Sequence, residues 1–142
     1  MCHPHIFGNF KMSRIIFLSG IIFLLVGCSV KNSDENFIPT WQTISSEEAT
    51  TIMNEEGNFI LVDVRTQEEF LEARIYGAIL IPYDEIMNRA EAELPNKNAV
   101  ILIYCRRRRR SALAVADLAT LGYTEVYDFG GILNWQYETV RD

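Results

Sequence analysis

The stretch Val100-Ile101-Leu102-Ile103-Tyr104-Cys105-Arg106-Arg107-Arg108-Arg109-Arg110-Ser111-Ala112-Leu113 decides how this chain is read. Five residues, mostly β-branched or aromatic, run straight into Cys105; five arginines follow, then a serine and an apolar run at helical spacing. The pattern predicts a buried strand, a tight loop and a helix from Ser111. Cys105 then stands at the carboxyl end of a strand and just before a helix N-terminus. Backbone N–H groups and the positive end of the helix dipole gather at such a point. A thiolate is stabilised there, and the guanidiniums act in the same direction, so its nucleophilicity at neutral pH rises. Two plainer readings compete. A lone cysteine at a strand end is often a small buried hydrophobe. An arginine run is often a solvated patch or a nucleic-acid contact. A basic run between a hydrophobic strand and an apolar helix is better placed as an anion pocket than as a floppy tail.

Composition bounds the rest. The chain has 142 residues, 49% hydrophobic and 23% charged, which is ordinary globular composition. Once a leading segment of about 30 residues is set aside, one domain of roughly 100 residues remains, enough for a single core. The formal net charge is −6. The segment up to Cys28 holds Lys11 and Arg14 and no acid, so its removal leaves 11 basic against 19 acidic residues, a net −8. An acidic body with one basic loop argues against nucleic acid as a partner and suits a small anion. The three cysteines, Cys2, Cys28 and Cys105, form no regular framework and no CxxC. The two histidines, His3 and His5, lie near the start, so no metal site is expected in the body.

The leader reads as a targeting segment. His3 and His5 fall in an upstream extension, with Met12 a candidate start. Lys11 and Arg14 form a positive n-region, and Ile15 to Val26 is apolar apart from Ser19 and Gly20. That run is shorter than the ~20 residues of a membrane span and has the length of a signal h-region. It ends in Leu25-Val26-Gly27-Cys28, which resembles the bacterial lipoprotein lipobox. The resemblance implies lipidation of Cys28 as the mature N-terminus and a domain anchored in the cell envelope. Cys105 is then the only free thiol. The expected organisation is a signal peptide over 1–28, a polar tether over 29–39 and one domain over 40–142. An uncleaved anchor or an ordinary secretory signal is the alternative.

Within the domain, strands alternate with helices. Thr40 to Ile44 predicts a short strand, and Ser45 with Glu48 offers a capping box for a helix to about Asn54. Phe59 to Val62 predicts a buried strand ending in Asp63-Val64-Arg65, and Thr66 caps a short helix. Gly77 to Pro82 predicts another strand, stopped by Pro82. Asp84 starts a helix whose Ile86, Met87, Ala90 and Leu94 share a face. After the Cys105 strand and the helix to Leu121, Gly122 is a C-cap. Glu125 to Tyr127 predicts a last strand, and Gly130-Gly131 opens a helix containing Leu133 and Trp135. Trp41 and Trp135 are read as core or lid residues. The fold class is α/β: a parallel sheet of about five strands covered by helices on both faces. Ligands of such sheets bind beyond the carboxyl ends of the strands, where Cys105 lies. No GxGxxG or Walker loop is present, so nucleotide binding has no support.

From Trp41 to Tyr137 the chain resembles a single rhodanese-like domain, of the sulfurtransferase family. Asp63-Val64-Arg65, Glu69-Phe70, Ile75, Gly77-Ala78-Ile79 and Pro82 resemble the family's DVR-x-x-x-E-(F/Y) stretch and its following G-A-(I/L)-x-(I/V)-P. Cys105 with Arg110-Ser111 resembles the active loop C-x-x-G-x-R-S. Leu121-Gly122-Tyr123 and Gly130-Gly131-Ile132-Leu133-Asn134-Trp135 resemble the L-G-(Y/F) and GG-x-x-x-W close. Ala73 and Arg74 stand where Gly and His are usual, and Leu80 replaces the common Asn. Arg108 replaces the loop glycine; at a position needing φ > 0 that costs on the order of 1 kcal/mol. The resemblance implies a sulfurtransferase with Cys105 as nucleophile, carrying sulfur as a persulfide from a small anionic donor such as thiosulfate to a thiol or cyanide-like acceptor. Arg106, Arg107, Arg108, Arg109, Arg110 and Ser111 would bind substrate, and Asp63 and Arg65 would brace the neighbouring loop. No metal or organic cofactor is implied. A non-catalytic membrane-tethered module for binding or sulfur sensing is one alternative. A Cys-based phosphatase or arsenate reductase is another, but there the arginine lies six positions after the cysteine, and here that position is Ser111.

Overall fold

The computed structural model describes residues 41–55 and 57–141. The expected signal peptide, Cys28 and the tether lie outside the described residues. The element order is β1 (Trp41–Thr43), α1 (Ser46–Glu55), β2 (Phe59–Asp63), α2 (Gln67–Glu72), β3 (Ile79–Leu80), α3 (Ile86–Glu93), β4 (Val100–Cys105), α4 (Arg109–Thr120) and β5 (Val126–Gly131). A single 3-10 turn, Ile132–Asn134, follows. The sheet has the order β1-β5-β4-β2-β3, and every pairing is parallel. The strand carrying Cys105 is therefore central, with its backbone paired on both sides.

The continuously apolar β4 is apolar because both of its faces are covered. Ile101, Ile103 and Cys105 face a core with Ile86 and Ala90 of α3, its C-cap Leu94, and Ala114, Val115 and Leu118 of α4. The alternate residues Leu102 and Tyr104 face a second core with Ala49 of α1, Leu61, Ile75 and Phe129. Period-two alternation thus sends Cys105 to the α3/α4 side and Tyr104 to the other.

Local chemistry sets the boundaries. Ser45 and Glu48 close the capping box of α1: the Ser45 N–H donates to Glu48 Oε2 at 2.7 Å, and the Glu48 N–H to Ser45 Oγ at 3.1 Å. Thr66 and Glu69 do the same for α2.

Several boundaries differ from the sequence reading. Helix α4 starts at Arg109, two residues before Ser111, because the left-handed turn falls at Arg108 and the first helical turn carries no apolar stripe to reveal it. Gly130-Gly131 does not open a helix: both residues belong to β5, and only the 3-10 turn follows. Met87 is 48% exposed, while Ile86, Ala90 and Leu94 form the buried stripe. Trp41 is 39% exposed on the edge strand β1 and is no core residue, whereas Trp135 packs beside Phe129.

Tyr104 ties β4 to the segment between α2 and β3. Its hydroxyl oxygen accepts the Ile75 N–H at 3.1 Å. Burial, then the charge of Asp63, pushes the phenol above its ordinary range. Tyr104→Phe should lose about 1–3 kcal/mol, the cost of stranding a buried N–H. Urea unfolding should show a lower midpoint at unchanged slope; an unchanged midpoint contradicts this role.

Candidate active site

The site is built where β4 ends. Cys105 is 1% exposed and lines a cavity of about 290 Å³ together with Tyr83, Arg106, Arg107, Arg109, Arg110 and Leu113. The Cys105 thiol donates to Ser111 Oγ at 3.5 Å. The Ser111 hydroxyl in turn donates to the Arg108 carbonyl at 3.0 Å. Ser111 is wholly buried beneath the loop. Four of the five arginines of the loop line the cavity. The fifth, Arg108, turns away: its guanidinium lies 3.5 Å from Asp128, a buried carboxylate that also accepts the Gly130 N–H at 2.9 Å.

Arg108 has φ 80°, the left-handed conformation in which a side chain costs on the order of 1 kcal/mol. It is the only non-glycine residue with positive φ among the described residues. The loop thus keeps the shape that a glycine would give it. The Asp128 pair offsets part of the strain and ties the loop apex to β5.

A second contact fixes the start of the loop. A side-chain carbon on Gly131 would sit 2.4 Å from the Arg106 carbonyl oxygen, so only glycine lets β5 come this close. Gly131 pairs with Cys105 across an irregular register. The Leu133 N–H donates to the same Arg106 oxygen at 3.5 Å. With that carbonyl held toward β5, the trans peptide turns the Arg107 N–H the opposite way.

Glu69 anchors the loop from the other flank. Arg110 grips it through both nitrogens, at 2.6 Å to Oε2 and 2.9 Å to Oε1. Arg106 approaches Glu69 at 3.7 Å. The Arg110 hydrogen bond holds the Glu69 carboxyl at about 2, far below its ordinary value, against the opposing effect of burial. Glu69 reciprocally raises Arg110. Beside it, Asp63 and Arg65 form a buried pair at 2.6 Å. Arg65 also donates to the Ala73 carbonyl at 2.5 Å, which fixes the end of α2. Burial works against the Arg65 charge, and Asp63 more than offsets it.

Of the residues singled out from sequence, Cys105, Ser111 and the loop arginines converge on one cavity or its base. Asp63 and Arg65 sit one layer behind. Sequence reasoning placed Glu69 in the first turns of the Thr66-capped helix and in the rhodanese-like stretch but not among the site residues, and it passed over Asp128 and Gly131 as site residues. Glu69 had a usable signal: it is the acid of the α2 capping box. Among the described residues, no group of three His, Cys, Asp or Glu side chains is placed to hold a metal.

Glu69 predicts a pH signature. Its carboxyl falls from 4.5 to about 2 on folding, so its contribution is complete above about 4.5 and is lost as pH falls toward 2. Glu69→Gln should cost about 1.5–3 kcal/mol at pH 7, the range for a hydrogen bond to a charged group. Chemical denaturation at stepped pH should show the gap between the two proteins closing between pH 4.5 and 2. A gap constant across that window contradicts the pairing.

Residues 45–138 match the Rhodanese-like domain family. The chain is 37% identical over 71 residues to thiosulfate sulfurtransferase PspE of Escherichia coli strain K12, covering 50% of this chain and 68% of that protein. It is 36% identical over 93 residues to a sulfurtransferase of Allochromatium vinosum, covering 65% of this chain and 85% of the other. A solved rhodanese-like domain protein from Staphylococcus aureus superposes with a TM-score of 0.61 at 33% identity, over 71% of this chain and 98% of that one. With its parallel five-stranded sheet and a cysteine at the end of the central strand, the chain belongs to the rhodanese-like domain family and is a rhodanese-type sulfurtransferase.

Proposed function

We propose that the protein moves sulfane sulfur from a small anionic donor such as thiosulfate to a thiol or cyanide-like acceptor through a persulfide on Cys105. The observation that carries this reading is that Cys105 lines the same cavity as four arginines. The Cys105 thiolate attacks the outer sulfur of the donor. A sulfur–sulfur bond forms to Cys105, the donor's own sulfur–sulfur bond breaks, and sulfite leaves with the electron pair. The acceptor then attacks the terminal sulfur, and the electron pair of the persulfide bond returns to Cys105 as thiolate. This is covalent catalysis in two steps, with ping-pong kinetics.

Each part of the site supports a role in that sequence. Cys105 ends β4 four residues before α4 begins at Arg109, and the N–H groups of such a turn and a helix N-terminus favour negative charge nearby. Arg106, Arg107 and Arg109 offer the donor positive charge at the cavity mouth. Arg110 is committed to Glu69 and holds the loop closed on the scaffold. Ser111 accepts from the resting thiol. Arg108 acts through its backbone, with its side chain held by Asp128. Asp63 and Arg65 brace the neighbouring turn.

The proposal extends to the cell. The lipobox-like Leu25-Val26-Gly27-Cys28 supports export and lipidation at Cys28, with the domain held at a membrane of the cell envelope by the 29–39 tether. Metabolic labelling with a fatty-acid analogue, compared between the native chain and Cys28→Ala, tests this part separately.

Thiosulfate-dependent formation of thiocyanate from cyanide tests the chemistry. The full-length chain should turn over with parallel double-reciprocal plots, and Cys105→Ser should lose at least about a thousandfold in kcat, as expected for loss of a covalent nucleophile. Turnover retained in Cys105→Ser, or absent from the folded native chain, contradicts the proposal.

A further inference from the structure

The surface around the cavity holds more than a small donor needs. Ten basic and seventeen acidic residues lie between Thr40 and Asp142, and five of those ten are the loop arginines. The loop is thus a concentrated positive patch on an acidic body. Three of its arginines face carboxylates: Arg106 and Arg110 meet Glu69, and Arg108 meets Asp128. Among the described residues, no acid lies within ion-pair distance of Arg107 or Arg109, and both stand exposed at the cavity mouth.

Apolar side chains flank this patch on two sides. Leu113, 49% exposed, and Tyr83 edge the sulfur cavity. Leu133, 55% exposed, and Tyr137, 47% exposed, belong to a separate hollow of about 350 Å³ that shares Arg106. Neither Leu133 nor Tyr137 lines the sulfur cavity, so neither can touch a small donor seated over Cys105. Arginine and tyrosine set among exposed apolar groups is the composition of a protein-binding surface. The depth of Cys105 adds a shape constraint. Cys105 is only 1% exposed and lines a cavity, so a nucleophile on a flat partner surface cannot reach its sulfur and must arrive on a protruding segment.

We propose that the arginine loop and its two apolar flanks dock an acceptor protein that presents a cysteine on a protruding, acidic segment. The proposal rests on sulfur transfer through Cys105. In the docked complex the acceptor thiolate bonds to the terminal sulfur of the persulfide. The bond to Cys105 breaks, the acceptor becomes the persulfide, and Cys105 leaves as thiolate. Arg107 and Arg109 supply the complementary charge, and the flanks on both sides of the loop extend the footprint past the cavity.

Cysteine peptides of equal length serve as probes, with the cysteine flanked by Asp and Glu, by Ser and Gly, or by Lys. Cyanide and mercaptosuccinate are run beside them, all with thiosulfate as donor and the full-length chain as enzyme. At low ionic strength the acidic peptide should exceed the neutral one in kcat/KM by about tenfold or more, with the basic peptide slowest. The preference should fade as salt approaches about 1 M, where the screening length falls to about 3 Å. Tyr137→Ala should lower kcat/KM for the acidic peptide several-fold and leave cyanide turnover unchanged. Equal rates for the three peptides with cyanide turnover intact overturn the docking surface and leave sulfur transfer standing. Mercaptosuccinate matching the acidic peptide, with no effect of Tyr137→Ala on either, reduces the patch to a small-anion site and overturns it too. Loss of cyanide turnover as well overturns both readings together.

Discussion

The bidentate pair of Glu69 and Arg110 ties together two elements that are 41 residues apart in sequence. Glu69 already serves as the capping acid of α2. Arg110 stands in the first turn of α4, where a cation opposes the positive end of the helix dipole. Two unfavourable positions are thereby reconciled: a carboxylate drawn out of bulk water and a guanidinium at the wrong end of a helix. The rest of the loop hangs from this clamp. Among the described residues it supplies the ion pair that joins α2 to α4.

The remaining anchors lie on β5. Arg108 holds a left-handed backbone that its residue type disfavours, and Asp128 takes up its side chain. Gly131 admits the Arg106 carbonyl at a distance no other residue allows. The loop Arg106–Arg108 is therefore fixed at its start by Gly131 and at its end by Asp128, and Glu69 holds Arg110 in the first turn of α4 just beyond it. Cations are spent on structure at Arg108 and Arg110 and left exposed at Arg107 and Arg109. The same arginine run thus both builds the cavity and charges its mouth.

Most of the architecture was legible in the sequence, and the reasons are specific. The unbroken apolar run Val100 to Tyr104 could only be a strand covered on both faces, and Ser45-x-x-Glu48 announced α1. The convergence of Cys105, the arginines and Ser111 followed from strand-loop-helix order alone. The misreadings also have physical causes. The α4 start moved to Arg109 because a left-handed arginine is not a signal that residue type can give. Gly130-Gly131 looked like a helix entry because paired glycines usually punctuate; here they continue a strand so that the backbone of β5 can approach the loop. Asp128 was invisible because its partner, Arg108, lies 20 residues away by chain and is one of five identical neighbours. Long-range pairing of one arginine among five is decided by tertiary position, which local pattern does not carry.

The central claim is that sulfur resides on Cys105 between donor and acceptor. Mass spectrometry of the chain after incubation with thiosulfate, with no acceptor present and without reductant, tests it most directly. The account predicts an added mass of one sulfur atom per chain, mapped to the peptide holding Cys105, removed by cyanide and absent from Cys105→Ser. A chain that turns over thiosulfate while Cys105 stays unmodified, or that carries the added sulfur elsewhere, would contradict it.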